Sequence, residues 1–124
     1  MTISDPAKLG TLRKRSEFLH VRDGDYAARG AVVVQVRANP AHGAVRYGVT
    51  ATKRIGNAVT RNRAKRRLRE IAKALLPELG RPGHDYVLIA RDRTPACDWD
   101  RLLSDARRAL QSLPGPGQSP ARKP

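Results

Sequence analysis

Between Lys53 and Lys73 the chain carries nine lysines and arginines against a single acid, Glu70, and no proline interrupts the run before Pro77. Read as a helix, this stretch places Ala64, Leu68, Ile71, Ala72 and Leu75 at an i, i+4, i+7, i+8, i+11 spacing. Val59, Arg63 and Arg66 fall on another side. A narrow apolar stripe of this kind seats a helix on a core and leaves its guanidinium groups in water. So many cations on one rod need a polyanion, and phosphate is the first candidate.

The rest of the composition agrees. A chain of 124 residues suits one domain, and its formal charge of +14, pI near 11.3 and 4% aromatic content point to nucleic acid. An anionic membrane is the competing polyanion. No apolar run approaches the roughly 20 residues of a spanning helix, and Met1 to Gly10 lack the apolar stretch of a secretory signal. Cys97 is the only cysteine, which excludes an internal disulfide and fits a reducing compartment. A cytoplasmic location is therefore expected.

In chain order, residues 1–10 are poor in apolar side chains and are expected to be flexible. Residues 14–22 predict a short helix with Phe18, Leu19 and Val21 as its apolar face and Ser16, or a residue just before it, as cap. Arg13, Lys14 and Arg15 form a second basic cluster ahead of it. Tyr26 to Arg37 reads as a strand, Asn39 to Gly43 as a loop, and Val45 to Thr52 as an alternating strand, most simply an antiparallel hairpin with the one before. After the basic helix, residues 77–83 predict a loop. Asp85 to Arg91 is an almost wholly apolar strand, as expected for one covered on both faces. Asp98 caps a last helix over 99–113, with Trp99, Leu102, Leu103, Ala106, Leu110 and Leu113 at helical spacing. The Pro- and Gly-rich residues 114–124 predict a disordered tail. The expected domains are thus 1–10 flexible, 11–113 a single α+β RNA-binding domain, and 114–124 tail.

The register Lys53-Arg54-Ile55-Gly56-Asn57-Ala58-Val59-Thr60-Arg61-Asn62-Arg63-Ala64-Lys65-Arg66-Arg67-Leu68-Arg69-Glu70 resembles the signature of the protein subunit of bacterial ribonuclease P. Its hallmark is Arg-Asn-Arg after Gly-Asn-Ala-Val, followed by Lys-Arg and Leu-Arg-Glu. Phe18, the Tyr47-Gly48-Val49 strand and the Asp85-to-Arg91 strand agree, so the resemblance covers roughly residues 12–113. It implies an αβββαβα two-layer sandwich with a left-handed βαβ crossover through the basic helix, where pattern alone suggests the common right-handed one.

The resemblance also implies a function: removal of the 5′ leader from precursor transfer RNA by a ribonucleoprotein endonuclease. The RNA subunit performs the chemistry with magnesium ions, and the protein binds no cofactor of its own and is inactive alone. Its implied partners are the ribonuclease P RNA and precursor transfer RNA, with no membrane and no obligate protein partner. Asn57, Arg61, Asn62, Arg63, Lys65, Arg66 and Arg69 are the implied contacts to the catalytic RNA. Arg13, Lys14, Arg15, Phe18, Lys53 and Arg54 are those to the single-stranded leader. No catalytic or metal-binding residue is expected: the acids are scattered, and His20, His42 and His84 lack ligand spacing.

Chemistry supports these roles. The arginines are planar bidentate donors for phosphate, and Lys65 is a point charge. Asn62 suits either an intramolecular hydrogen bond or a base edge or 2′-hydroxyl. Gly56 supplies a backbone conformation or a close approach that a side chain would block. Phe18 suits either stacking on a base, typically worth about 1–3 kcal/mol, or a plain core position. Two positions depart from the family: Arg22 stands where relatives often carry a second aromatic, and the second strand offers Val34 in place of a tyrosine. The runner-up function is a ribosomal or ribosome-assembly RNA-binding protein; a DNA-binding regulator is weaker, because the basic helix follows a strand.

Overall fold

The structure, a computed structural model, describes residues 9–39, 41 and 43–113. In chain order these form β1 (Leu9–Thr11), α1 (Arg15–Arg22), β2 (Asp25–Arg29), β3 (Val32–Ala38), β4 (Val45–Thr50), α2 (Ala58–Leu79), β5 (His84–Ala90) and α3 (Trp99–Ser112). One five-stranded sheet runs in the order β1-β4-β5-β3-β2.

Central β5 explains its own composition. Tyr86, Leu88 and Ala90 point into the main core with α2 and α3, whereas Val87 and Ile89 point to the other face, against α1. Both faces being covered, neither set is polar. The apolar stripe of α2 meets the sheet as its spacing predicts: Ala64, Leu68, Ile71 and Ala72 have no exposed surface.

The crossover from β4 through α2 to β5 joins parallel neighbours, and its hand follows from one hydrogen bond. Tyr47 directs its ring toward α2 and its carbonyl toward β1, accepting from the Leu12 N–H at 2.8 Å. In a strand of L-residues running upward, a residue whose side chain faces the viewer turns its N–H and C=O to the right. Seen from α2, β1 therefore lies right of β4 and β5 lies left. The crossover is left-handed, against the usual preference.

Four expectations are corrected. First, the segment Tyr26 to Arg37 is two strands, because Gly30 turns it at a φ of +49°. β2 and β3 form the hairpin, and β5 separates β3 from β4, pairing antiparallel with the former and parallel with the latter. Second, the N-terminal segment is not loose up to Gly10: Leu9 and Gly10 pair with Val45 and Arg46 in a parallel edge strand. Residues 1–8 and the predicted tail 114–124 lie outside the described residues. Third, α2 continues through Pro77 to Leu79. The proline removes one backbone donor, and burial of Leu75 and Leu76 beside it holds the turn. Fourth, the strand expected over Val45 to Thr52 ends at Thr50, and Lys53 and Arg54 lie beyond it in a short 3-10 turn, Lys53–Ile55.

Candidate nucleic-acid interface

The start of α2 is built by two residues. Gly56 has a φ of +146°, a region reserved for glycine, and a Cβ there would lie 3.0 Å from that of Thr60. Asn57 then caps the helix, its Oδ1 accepting from the Thr60 N–H at 2.9 Å. Asn57 thus has a structural duty within the segment expected to meet RNA.

Beyond the cap, Asn62, Arg63, Arg66 and Arg69 are exposed and Arg61 and Lys65 half-buried. Among the described residues none of the five cations pairs with an acid, and Asn62 makes no side-chain hydrogen bond. The helix's one acid in this stretch, Glu70, pairs with Lys73 at 3.6 Å, a turn beyond the dense part. Val59, 78% exposed, stands on the same outward side.

Arg67 is the exception to a helix that presents its charge to water. Its guanidinium donates to the carbonyls of Thr94 and Cys97 at 2.9 and 2.6 Å and lies 5.7 Å from the Trp99 ring centre. It ties α2 to the loop before α3. Arg67→Ala is expected to destabilise the fold by about 2–3 kcal/mol, since it removes two charge-assisted bonds and a cation–π interaction. Thermal melts should register this, while the salt dependence of RNA binding stays at the wild-type slope.

α1 starts without a side-chain cap from Ser16. Glu17 takes that duty, its Oε1 accepting from the backbone N–H of Arg13 and Lys14 at 2.8 and 2.9 Å. Its other oxygen receives Arg46 at 3.1 Å, and Arg46 also grips Asp85 through two bonds of 2.8 and 2.9 Å. Asp85, 1% exposed, accepts a further 3.1 Å bond from Asn39. The backbone donors of Lys14 and Arg13, reinforced by Arg46, hold the Glu17 carboxyl below its ordinary range, and the bonds to Asp85 raise the Arg46 guanidinium. This chain of charges pins the basic Arg13–Arg15 segment to the strand below it.

The result is a groove. Arg13, Arg15 and Phe18 stand on one wall, Val49, Thr50 and Ala51 form the floor, and Lys65 closes the far side around a space of about 400 Å³. It continues over Tyr47 and Gly48 to Arg69 as a second space of about 210 Å³. The two sets of implied contacts are therefore not separate: Arg13, Arg15 and Phe18 of one face Lys65 and Arg69 of the other. Lys14, Lys53 and Arg54 are exposed near this groove in sequence but do not line it. Arg61, Arg63 and Arg66 lie outside it. Phe18 is half-buried, packing beside Leu12, Val21 and Val87 while bordering the groove, so its core and groove positions coexist. Arg22 is exposed, and Val34 is buried toward α2 and α3, away from α1. The resemblance implies a cleft between the first helix and the sheet, but Gly48 to Ala51 were not among its expected contacts; their one signal in the sequence is a glycine within an alternating strand.

Among the described residues no helix is long and apolar enough to cross a membrane, and no group of three His, Cys, Asp or Glu is placed to hold a metal ion. An α+β domain with a left-handed crossover, unpaired cations along one helix and a basic groove beside it defines an RNA-binding class of protein. The model of the Ribonuclease P family matches residues 7–114, and the chain belongs to that family. It is 50% identical over 111 residues to the "Ribonuclease P protein component" of Ruegeria pomeroyi, covering 87% of this chain and 89% of that protein. The protein of the same description from Caulobacter vibrioides is 52% identical over 107 residues, covering 86% and 72%. Among solved structures, the RNase P protein of Thermotoga maritima matches with a TM-score of 0.71 at 26% identity, covering 85% of this chain and 98% of that one. That of Staphylococcus aureus matches with 0.70 at 25%, covering 82% and 92%.

Proposed function

We infer that the outward side of α2 binds the catalytic RNA of ribonuclease P, and that the groove between α1, β4 and α2 holds the single-stranded 5′ leader of precursor transfer RNA. As a member of its family the chain is a subunit of a transfer-RNA-processing endoribonuclease. In this reading the RNA subunit carries the chemistry with its own magnesium ions, and the protein contributes affinity for substrate.

The observation that carries the reading is the placement of unpaired cations on both sides of a groove bordered by an aromatic ring. Arg13 and Arg15 oppose Lys65 and Arg69 across Phe18 and Val49. An unpaired strand offers phosphates to such walls and bases to the ring, whereas a duplex exposes only its edges. Lys65 and Arg69 accordingly serve the leader, while Arg61, Asn62, Arg63 and Arg66 serve the catalytic RNA.

Reconstitution tests this. Added to a bacterial ribonuclease P RNA at low magnesium, the chain should restore 5′ processing of precursor transfer RNA, and without that RNA it should cut nothing. Failure to restore processing, or cleavage by the contaminant-free chain alone, would overturn the division of labour.

A further inference from the structure

We propose that Gly48 is a positioning residue for the leader: its bare backbone gives the Phe18 ring a seat on β4, and that seat sets how far the ring stands into the groove. Because Gly48 acts through Phe18, its role holds only if Phe18 meets the leader as inferred above.

A Cβ at residue 48 would lie 2.5 Å from both Cε2 and Cζ of Phe18 and 3.3 Å from the Cβ of Leu12. Side chains do not approach so closely, so even a methyl group displaces the ring. The requirement is steric alone, since the described glycines with positive φ are Gly30, Gly56 and Gly83. α1 is poorly placed to give way. Glu17 is bonded to Arg46 at its start, and Val21, fully buried, is packed beside Val87 at its end. The ring is the part free to move, and the open side available to it is the groove that it shares with Val49 and Lys65. A ring lifted off the strand occupies the space of the base it should stack on. A stacking surface works only when held at the right height, because small displacements forfeit much of a dispersion attraction.

The test uses holoenzyme reconstituted with a bacterial ribonuclease P RNA. It measures the ratio of affinities for leader-bearing precursor and mature transfer RNA in wild type, Phe18→Ala, Gly48→Ala and the double variant. Phe18→Ala should lower this ratio by roughly 5- to 150-fold, the span of one stacked base. Gly48→Ala should lower it by at least about three-fold with the affinity for mature transfer RNA unchanged, as expected for loss of part of that stack. In the Phe18→Ala background, adding Gly48→Ala should leave the ratio unchanged and move the melting temperature only slightly, through the remaining 3.3 Å approach to the Leu12 Cβ and the strand preference for alanine over glycine. A ratio untouched by Gly48→Ala but lowered by Phe18→Ala overturns the role of Gly48 and leaves the groove intact. A ratio untouched by Phe18→Ala overturns the groove reading itself, and the role of Gly48 with it. Equal losses from Gly48→Ala in both backgrounds overturn the coupling. Should Gly48→Ala alone fold too poorly to assay, a double variant that melts with Phe18→Ala supports the seat, and one that melts well below it overturns the proposal.

Discussion

Alanine at both Arg61 and Arg63 is expected to make binding of the ribonuclease P RNA less salt-dependent, by about 0.9 unit of log–log slope for each phosphate no longer neutralised. Affinity near physiological salt should fall by roughly 10- to 100-fold, since two charge-assisted hydrogen bonds at a solvated surface are removed. The expectation rests on where these side chains lie. Both are on the part of α2 outside the groove, and among the described residues neither has an acidic partner. Fold stability should fall only a little, because Arg63 lies on the side of α2 away from Leu68, and half-buried Arg61 stands a turn before the buried stripe begins at Ala64. A salt titration of RNA binding, run beside thermal melts, decides the matter. An unchanged slope and affinity would remove the outward side of α2 from the RNA interface. Arg67→Ala is the control within the same helix, predicted to lose stability and keep its slope.

Asp85→Ala should have the largest effect on the fold, about 3 kcal/mol, which is the lower end of what breaking a buried ion pair costs. The lower end applies because Arg46 keeps Glu17 as a partner at 3.1 Å and its side chain is 23% exposed. Asn39 is also deprived of an acceptor. For a domain of this size the melting temperature should drop by about 15 °C. Leader binding should weaken along with it, because the same charges hold Glu17 and, through it, the backbone of Arg13 and Lys14. A melting temperature within about 3 °C of wild type, the equivalent of well under 1 kcal/mol, would show that the network is incidental to stability.

Much of the fold was legible in local pattern. The α2 stripe repeats with the helical period and is buried as the spacing requires. β5 lacks polar alternation because it is covered on both faces. Gly56 stands where the backbone needs a positive φ, and the density of arginine along α2 pointed to a phosphate partner. The features that went unread depend on pairing over distance. A hairpin between the strand over Tyr26 to Arg37 and that over Val45 to Thr52 was the simplest local arrangement. β5 displaces it, because the unbroken apolar run Tyr86 to Ala90 buries both of its faces at once only in a central position.

The basic rod shows the same division most clearly. Spacing along the chain states which side of a helix is apolar and how many cations the others carry, because a side chain's angular position depends only on its place in the helix. It cannot state what stands opposite. Only the packing of α2 beside β4 and α1 turns Arg67 inward to the carbonyls of Thr94 and Cys97, brings Lys65 and Arg69 to the groove with Phe18, and leaves Arg61, Arg63 and Arg66 outside it. Those partners come from segments distant in the chain, joined by burial of the core and not by any local preference.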